Sequence, residues 1–121
     1  MIKKNKEKLM KGKKVICNNL VYCNNVVSKG TGLMFRTEKS LEDTAWIFSF
    51  KKSRKISLTM IFVFFPIDVI FLNGNKEIVE IVTLYPWQSY FPKKKANYCI
   101  ELKKGTANAL GLNICDKLTF P

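Results

Sequence analysis

The sequence predicts a mainly β domain, built as a β-sandwich or a partly closed, jelly-roll-like barrel of about eight short strands with little helix. Apolar runs of roughly five to eight residues recur between turn signals, and most are rich in Val, Ile, Phe and Tyr, which favour strands. Helix signals are confined to two short segments. With 121 residues, 47% of them apolar, the chain can bury a core of its own.

The predicted strands span residues 14–17, 20–27, 45–50, 56–65, 67–72, 77–84, 98–103 and 117–120. Asn73-Gly74-Asn75 separates two strong apolar runs and predicts a hairpin, because Asn-Gly accepts the positive φ of a tight turn. Residues 61–71 are apolar on both alternating faces, so we expect them at the centre of the sheet, with a bend or bulge at Pro66. Short helical turns are expected at residues 40–43 and 106–111.

Positive charge dominates the chain, with 21 Lys and Arg against nine Asp and Glu and a net charge of +12. Residues 1–14 hold seven lysines and one glutamate. We therefore predict a basic flexible arm over residues 1–13 and a single β domain over residues 14–121. The arm has no apolar run of the kind that a secretory signal needs, and residues 58–72 are too interrupted for a membrane helix. We expect a cytoplasmic protein without a membrane span.

The cysteines and the missing histidine limit the chemistry. Free thiols are expected in a reducing cytosol, with the intracellular disulfides of hyperthermophiles as the alternative. Zinc is not expected, because the spacing gives no paired C-x-x-C and no histidine could complete a mixed site. Gly30-Thr31-Gly32 lacks the third glycine and the lysine of nucleotide-binding loops. We predict no metal and no cofactor, and Ser-His and Cys-His catalytic pairs cannot be built.

Carboxylates within apolar strands are the first group of candidate ligand-binding residues. Asp68 lies in the most apolar strand, where an ionised carboxylate needs a partner. Arg36 is the expected partner, because a guanidinium can hold a carboxylate with two hydrogen bonds. Glu101 and Asp116 are also embedded in apolar sequence. Two interpretations stay open: these residues form a binding site, or they are structural ion pairs, caps and edge charges.

A second candidate site is the aromatic and lysine-rich segment at residues 85–95. Stacking aromatics beside lysines are typical of surfaces that bind single-stranded nucleic acid or another polyanion. Its two prolines support the alternative of a rigid loop whose aromatics cover the core. The candidate polyanion-binding residues are Trp87, Tyr90, Lys93, Lys94 and Lys95.

Five motifs occur in order along the chain: GLMFR at 32–36, FPIDVIFLN at 65–73, PW at 86–87, YCIELKKG at 98–105 and ICDKL at 114–118. Together they resemble the Domain of Unknown Function 192 family, in its archaeal form, over roughly residues 26–120. The resemblance implies a mainly β, sandwich or jelly-roll-like domain and carries no established activity. The positions that match the family's signature are Gly32, Leu33, Met34, Arg36, Ile67, Asp68, Phe71, Glu101, Gly105 and Asp116. The chain departs from it at Asn73, where Asp is more usual, and at Cys115, where Gly is usual.

These observations favour a small binding or interaction module whose polar site is braced by Arg36, Asp68 and Glu101. The alternative is binding of nucleic acid or another polyanion through the basic arm and the Trp87 segment. An enzyme ranks third, and its most plausible form would use Asp68 and Glu101 as an acid/base pair in a hydrolase.

Overall fold

The computed structural model describes residues 2–5, 7–23 and 36–121, with only the backbone described for residues 2–5. The strands are β1 (Ile2–Asn5), β2 (Leu9–Lys11), β3 (Lys14–Cys17), β4 (Asn19–Cys23), β5 (Thr44–Arg54), β6 (Leu58–Thr59), β7 (Ile67–Leu72), β8 (Ile78–Leu84), β9 (Ser89–Tyr90) and β10 (Ala96–Lys103). A 3₁₀ turn at Glu38–Leu41 and the one-turn helix α1 at Thr106–Ala109 complete the described elements. In this part of the chain no helix is long and apolar enough to cross a membrane.

Six strands form one sheet in the order β1-β4-β5-β10-β7-β8, in which β4 and β5 are parallel and the other neighbours antiparallel. One core cluster lies on the face that carries Trp46 and is covered by β6, β9 and the segment between β6 and β7. The other lies on the face that carries Ile47 and is covered by the β2–β3 hairpin, α1 and the C-terminal residues. We call these the Trp46 face and the Ile47 face. The prediction of a mainly β, sandwich-like domain is confirmed.

The hairpin predicted at Asn73-Gly74-Asn75 joins β7 to β8, but its turn differs from the expected one. The positive φ falls on Lys76, at 63°, so the loop is a turn followed by one left-handed residue. The side-chain oxygen of Asn73 accepts hydrogen bonds from the N–H groups of Asn75 (2.9 Å) and Glu77 (3.0 Å). This local bonding pattern suits Asn and Asp equally.

The continuous strand predicted over residues 56–65 is wrong. Only Leu58–Thr59 is a strand, and the chain then turns, with the N–H of Val63 donating to the carbonyl of Met60 at 3.0 Å. Phe62 has a φ of 56° and is partly exposed, and Phe64 is exposed. An alternating apolar pattern cannot distinguish a strand from an apolar turn whose side chains remain at the surface. Pro66 immediately precedes β7, which is buried along its whole length.

The range predicted as a basic arm, residues 1–13, includes β1, which pairs with β4, and β2, which pairs with β3. Leu9 is completely buried in the Ile47 face. Met10 exchanges two backbone hydrogen bonds with Thr119, at 2.9 and 2.7 Å. The strand predicted at residues 117–120 is reduced to two isolated bridges. The many lysines of this segment make its few apolar residues hard to identify as strand residues. Pairing with other parts of the chain holds β1 and β2 in the structure.

The four cysteines are free thiols in the structure. Cys17, Cys23 and Cys99 are buried, and burial raises the pKa of the first two thiols to about 12. Cys115 is exposed. Its φ of 79° lies in the left-handed region, where a side chain costs roughly 1–2 kcal/mol. A glycine at this position avoids that cost.

We predict that Cys115→Gly stabilises the protein by about 0.5–1 kcal/mol, because relief of the strained φ exceeds the entropic cost of glycine. Urea unfolding of both proteins measures the difference. Cys115→Ala is the control, since it removes the thiol and keeps the strained Cβ. Equal stability of the Gly and Ala variants would contradict the prediction.

Candidate functional site

Asp68 and Glu101 lie on opposite faces of the sheet. In the β7–β10 ladder Asp68 pairs with Leu102, and Glu101 pairs with Val69. Successive side chains of a strand point to opposite faces, so Asp68 belongs to the Ile47 face and Glu101 to the Trp46 face. The hypothesis that Asp68 and Glu101 act together as an acid/base pair is therefore wrong. Arg36, Asp68 and Glu101 do not form the single polar site that the sequence predicted.

Asp68 is buried and accepts three hydrogen bonds. The hydroxyl of Thr83 donates at 2.8 Å, and the N–H groups of Gly105 and Ala107 each donate at 3.0 Å. The predicted Arg36–Asp68 ion pair is not formed: Arg36 instead places its guanidinium 5.2 Å from the centroid of the Trp46 ring. Asp68 thus fixes β8 and the start of α1 to β7, and removing it would leave backbone donors without an acceptor.

A cavity of about 400 Å³ opens beside Asp68, between β8 and α1. Its apolar wall comes from Ile81, Ala107 and Leu112, and its polar lining includes Thr83, Lys104 and Asn108. The Lys104 ammonium lies 5.4 Å from the centroid of the Tyr85 ring and makes no ion pair within the described residues. Sequence reasoning missed Lys104, Thr83 and Asn108. The signal available was Lys104-Gly105 after β10, where a strand ends in a glycine turn with a φ of 92°.

Glu101 is buried in an apolar environment on the Trp46 face. Its Oε1 atom has no hydrogen-bond partner among the described residues, and burial raises the pKa of the carboxyl to about 8. The pKa values of the Cys23 and Cys99 thiols are raised first by burial and then by the neighbouring Glu101 charge. Within the described ranges, no three Cys, Asp or Glu residues could hold a metal ion. Glu101 is thus predominantly protonated at neutral pH.

Asp116 forms a local cap near the surface. It accepts a hydrogen bond from the N–H of Asn113 at 2.8 Å and forms an ion pair with Lys11, also at 2.8 Å. The hydrogen bond from Lys11 is the main cause of its lowered pKa, and the bond from Asn113 adds to it. These contacts tie β2 to the segment that follows α1. Asp116 does not line the cavity beside Asp68.

The aromatic and lysine residues of the second candidate site are divided between two regions. Trp87 is 54% exposed and makes edge-to-face contacts with Phe62 (5.1 Å) and Phe64 (5.8 Å). Tyr90 is partly buried, stacks on Phe71 at 6.2 Å and donates its hydroxyl to Glu80.

The lysines of this segment lie with Glu80, whose carboxylate accepts the N–H groups of Lys93 and Lys94 at 3.1 Å. Glu80 and Leu84 are four residues apart on β8, or ~13 Å along the strand. Because Trp87 follows shortly after Leu84, the aromatic cluster and the lysines do not form one stacking platform.

One end of this lysine segment lies near a second basic segment. Ala96 on β10 pairs with Arg54 on β5, so Lys95, which precedes β10, lies near the basic end of β5, whereas Lys93 and Lys94 are held at Glu80 on β8. Residues 51–55 supply four positive charges and residues 93–95 supply three. The seven residues are Lys51, Lys52, Arg54, Lys55, Lys93, Lys94 and Lys95. In the described part of the chain none of them forms an ion pair.

Replacement of Glu101 by Gln is expected to remove a large part of the pH dependence of stability. The native carboxyl keeps its proton up to about pH 8, whereas the unfolded one releases it near 4.5. Native protein therefore binds more protons in this window, so its stability falls as pH rises from about 4.5 to about 8 and then levels off. The loss of unfolding free energy is on the order of 5 kcal/mol, and Glu101→Gln should avoid it.

Urea unfolding between pH 4 and pH 9, at roughly unit steps, measures this difference. Glu42→Gln is the control, because Glu42 is an exposed carboxylate. Parallel stability curves for the wild type and Glu101→Gln would show that the carboxyl does not carry the expected proton.

Relatives share both sequence and fold with this chain. The UPF0127 protein PF1050 of Pyrococcus furiosus is 33% identical over 99 residues, which cover 82% of this chain and 84% of that protein. The UPF0127 protein PYRAB11210 of Pyrococcus abyssi is 32% identical over 96 residues, covering 79% of this chain and 80% of the other.

A crystal structure of a candidate transcription regulator from Sinorhizobium meliloti 1021 superposes with a TM-score of 0.75 at 20% identity, covering 98% of this chain and 93% of that one. A protein of unknown function from Novosphingobium aromaticivorans gives a TM-score of 0.65 at 22% identity, over 85% and 78% of the two chains. At these identities the structures show a shared fold. The profile of DUF192, described as an uncharacterized ACR family, matches residues 8–120, and the chain belongs to this family.

Proposed function

We propose that this chain is a single β domain that acts as a small binding module, with the cavity beside Asp68 as its ligand site. The observation that carries the proposal is the Lys104 ammonium, which lines a partly apolar cavity of about 400 Å³ and forms no ion pair with any residue that the structure describes. Ligand sites commonly combine an apolar wall with a few convergent polar groups. Asp68 acts as a positioning residue, because its three hydrogen bonds hold the walls that carry Thr83 and Ala107.

The cavity lining selects the chemistry of the ligand. The Asp68 carboxylate already accepts three hydrogen bonds from the chain, whereas the Lys104 ammonium forms no ion pair with any described residue and can still bind an anion. Asn108 offers an amide, and Ile81 and Leu112 offer an apolar surface. A small organic anion with an apolar body satisfies all three features. Benzoate is a suitable probe, because its carboxylate can reach the ammonium while its ring covers the apolar wall.

We expect benzoate to shift the amide resonances of residues 104–108 in an NMR titration, and Lys104→Met to weaken binding by about ten-fold or more. Methionine keeps most of the aliphatic stem and removes the charge. Lys103→Met is the matched control, because Lys103 is exposed and does not line the cavity. Shifts confined to other regions, or equal binding by Lys104→Met and the wild type, would refute the proposed site.

Polyanion binding is a second candidate function, and two basic segments that meet at the junction of β5 and β10 favour it: residues 51–55 and residues 93–95, whose seven cations form no ion pair with the described residues. Basic segments that meet at one end can follow a phosphate backbone, and each contact releases counterions. Trp87 lies apart from these lysines, so any stacking of a base on its ring would contribute to binding independently of them. We expect this surface to bind a single-stranded RNA oligonucleotide with an affinity that falls steeply as salt rises.

The combined change Lys93→Ala, Lys94→Ala and Lys95→Ala should weaken RNA binding and reduce the slope of log affinity against log salt by roughly two. Trp87→Ala reports separately on stacking, and removal of residues 1–5 reports on the N-terminal charges. Filter binding at several salt concentrations measures each effect. Full retention of affinity in the triple variant would eliminate this surface as the polyanion site.

A further inference from the structure

The described sheet ends at β8, and much of this edge has no backbone partner among residues 7–23 and 36–121. The segment after α1 covers only the start of the strand: Ile78 donates to the carbonyl of Asp116 and accepts from the N–H of Cys115, both at 2.8 Å. Residues 79–84 make backbone hydrogen bonds to β7 and to no other described segment. A bulge at Val79 interrupts the ladder, so the regular free stretch is Glu80–Leu84. We call this stretch the open edge.

The open edge lies between cavities on both sides of the sheet. The cavity beside Asp68 borders Ile81 and Thr83. Two others, of about 270 and 240 Å³, share Val79, Lys94 and Ile114. Ile114 is 53% exposed, and residues 79–83 are all partly exposed. The edge therefore offers free backbone groups flanked by recesses for side chains, which is the arrangement used when an extended peptide adds a strand to a sheet.

The charges along the open edge select its partner. The three carboxylates that line its cavities already accept hydrogen bonds within the chain: Glu77 from Asn73, Glu80 from Tyr90 and two backbone N–H groups, and Asp68 from its three donors. The ammonium groups that border the three cavities have no ion pair among the described residues. They belong to Lys93, Lys94 and Lys104. Beside the open edge, the carboxylates are therefore engaged by donors of the chain, whereas the ammonium groups can still pair with an anionic partner.

We propose that the open edge binds an extended, acidic segment of another protein as an additional strand. Alternate residues of Glu80–Leu84 supply the outward backbone groups, and their lysine neighbours pair with acidic side chains of the segment. A net charge of +12 opposes edge-to-edge pairing of two copies of this chain. The open edge spans about five residues, or ~17 Å, which suits a segment of similar length. This proposal does not depend on a small ligand in the cavity beside Asp68.

The test uses the full chain and an eight-residue peptide of alternating Glu and Val, blocked at both ends. At saturation we expect the outward amides of Glu80–Leu84 to exchange hydrogen at least about ten-fold more slowly. The same peptide with every backbone amide N-methylated should lose binding, because it can no longer donate to the edge. A peptide of alternating Lys and Val should not bind, because it repels the flanking lysines.

The combined change Lys93→Glu and Lys94→Glu should weaken peptide binding about ten-fold or more, because these lysines border the edge but not the cavity beside Asp68. The combined change Lys51→Glu and Lys52→Glu is the control, since β5 is separated from β8 by β10 and β7. If both variants still bind benzoate, the loss of peptide binding does not come from damage to the cavity beside Asp68.

Four outcomes would overturn the proposal. They are equal binding of the N-methylated peptide, unchanged exchange at residues 80–84, equal binding of the lysine peptide, and no binding of the acidic peptide at about 1 mM, the limit of weak specific association. Protection of the open edge that rises with protein concentration alone would identify a second copy of the chain as its occupant, and would also overturn it.

Discussion

Burial of β7 and β10 on both faces of the sheet is the constraint on which the polar chemistry of this molecule depends. A polar side chain in either strand leaves water and must find donors or lose its charge. Asp68 finds a hydroxyl and two backbone N–H groups, and these bonds connect β7, β8 and α1. Glu101 has an unpartnered oxygen and a raised pKa. The two carboxylates lie at adjacent positions of the β7–β10 ladder. Asp68 is stabilised by hydrogen bonds, whereas Glu101 is stabilised in its protonated form.

The positive charge of the surface follows from the carboxylates, because several of them are bonded to groups within the chain. Glu80 holds the chain after β9, Asp116 pairs with Lys11, and Asp68 holds the start of α1. The lysines that surround these carboxylates mostly stay unpaired, so the positive excess of the sequence appears as local cationic areas. The open edge, the cavity beside Asp68 and the junction of β5 and β10 are three such areas. These are the three areas for which we propose anionic partners, and the proposed partners differ in shape.

The aromatic residues show how one sequence segment can serve two structural purposes. Tyr90 joins the core through Phe71, whereas Trp87 packs with Phe62 and Phe64 at the surface. Sequence spacing placed them together with three lysines in one candidate surface. The chain between β8 and β10 runs back along the Trp46 face, so these residues reach different ends of β8. Neighbours in sequence are separated here because the chain turns at residues 85–88 and then runs back to Glu80, where it holds Lys93 and Lys94.

The sequence by itself determined the β class, the β7–β8 hairpin, the full burial of β7 and the importance of Asp68 and Glu101, because strand periodicity and the cost of burying charge are local properties. Tertiary contacts alone set the strand order, the partners of Asp68, the separation of Asp68 from Glu101 and the pairing of β1 and β2 with β4 and β3. These features depend on pairing between residues distant in the chain, and a shift of one residue in register exchanges the two faces of a strand. The sequence pattern of a single strand does not determine the register in which it pairs with its neighbours.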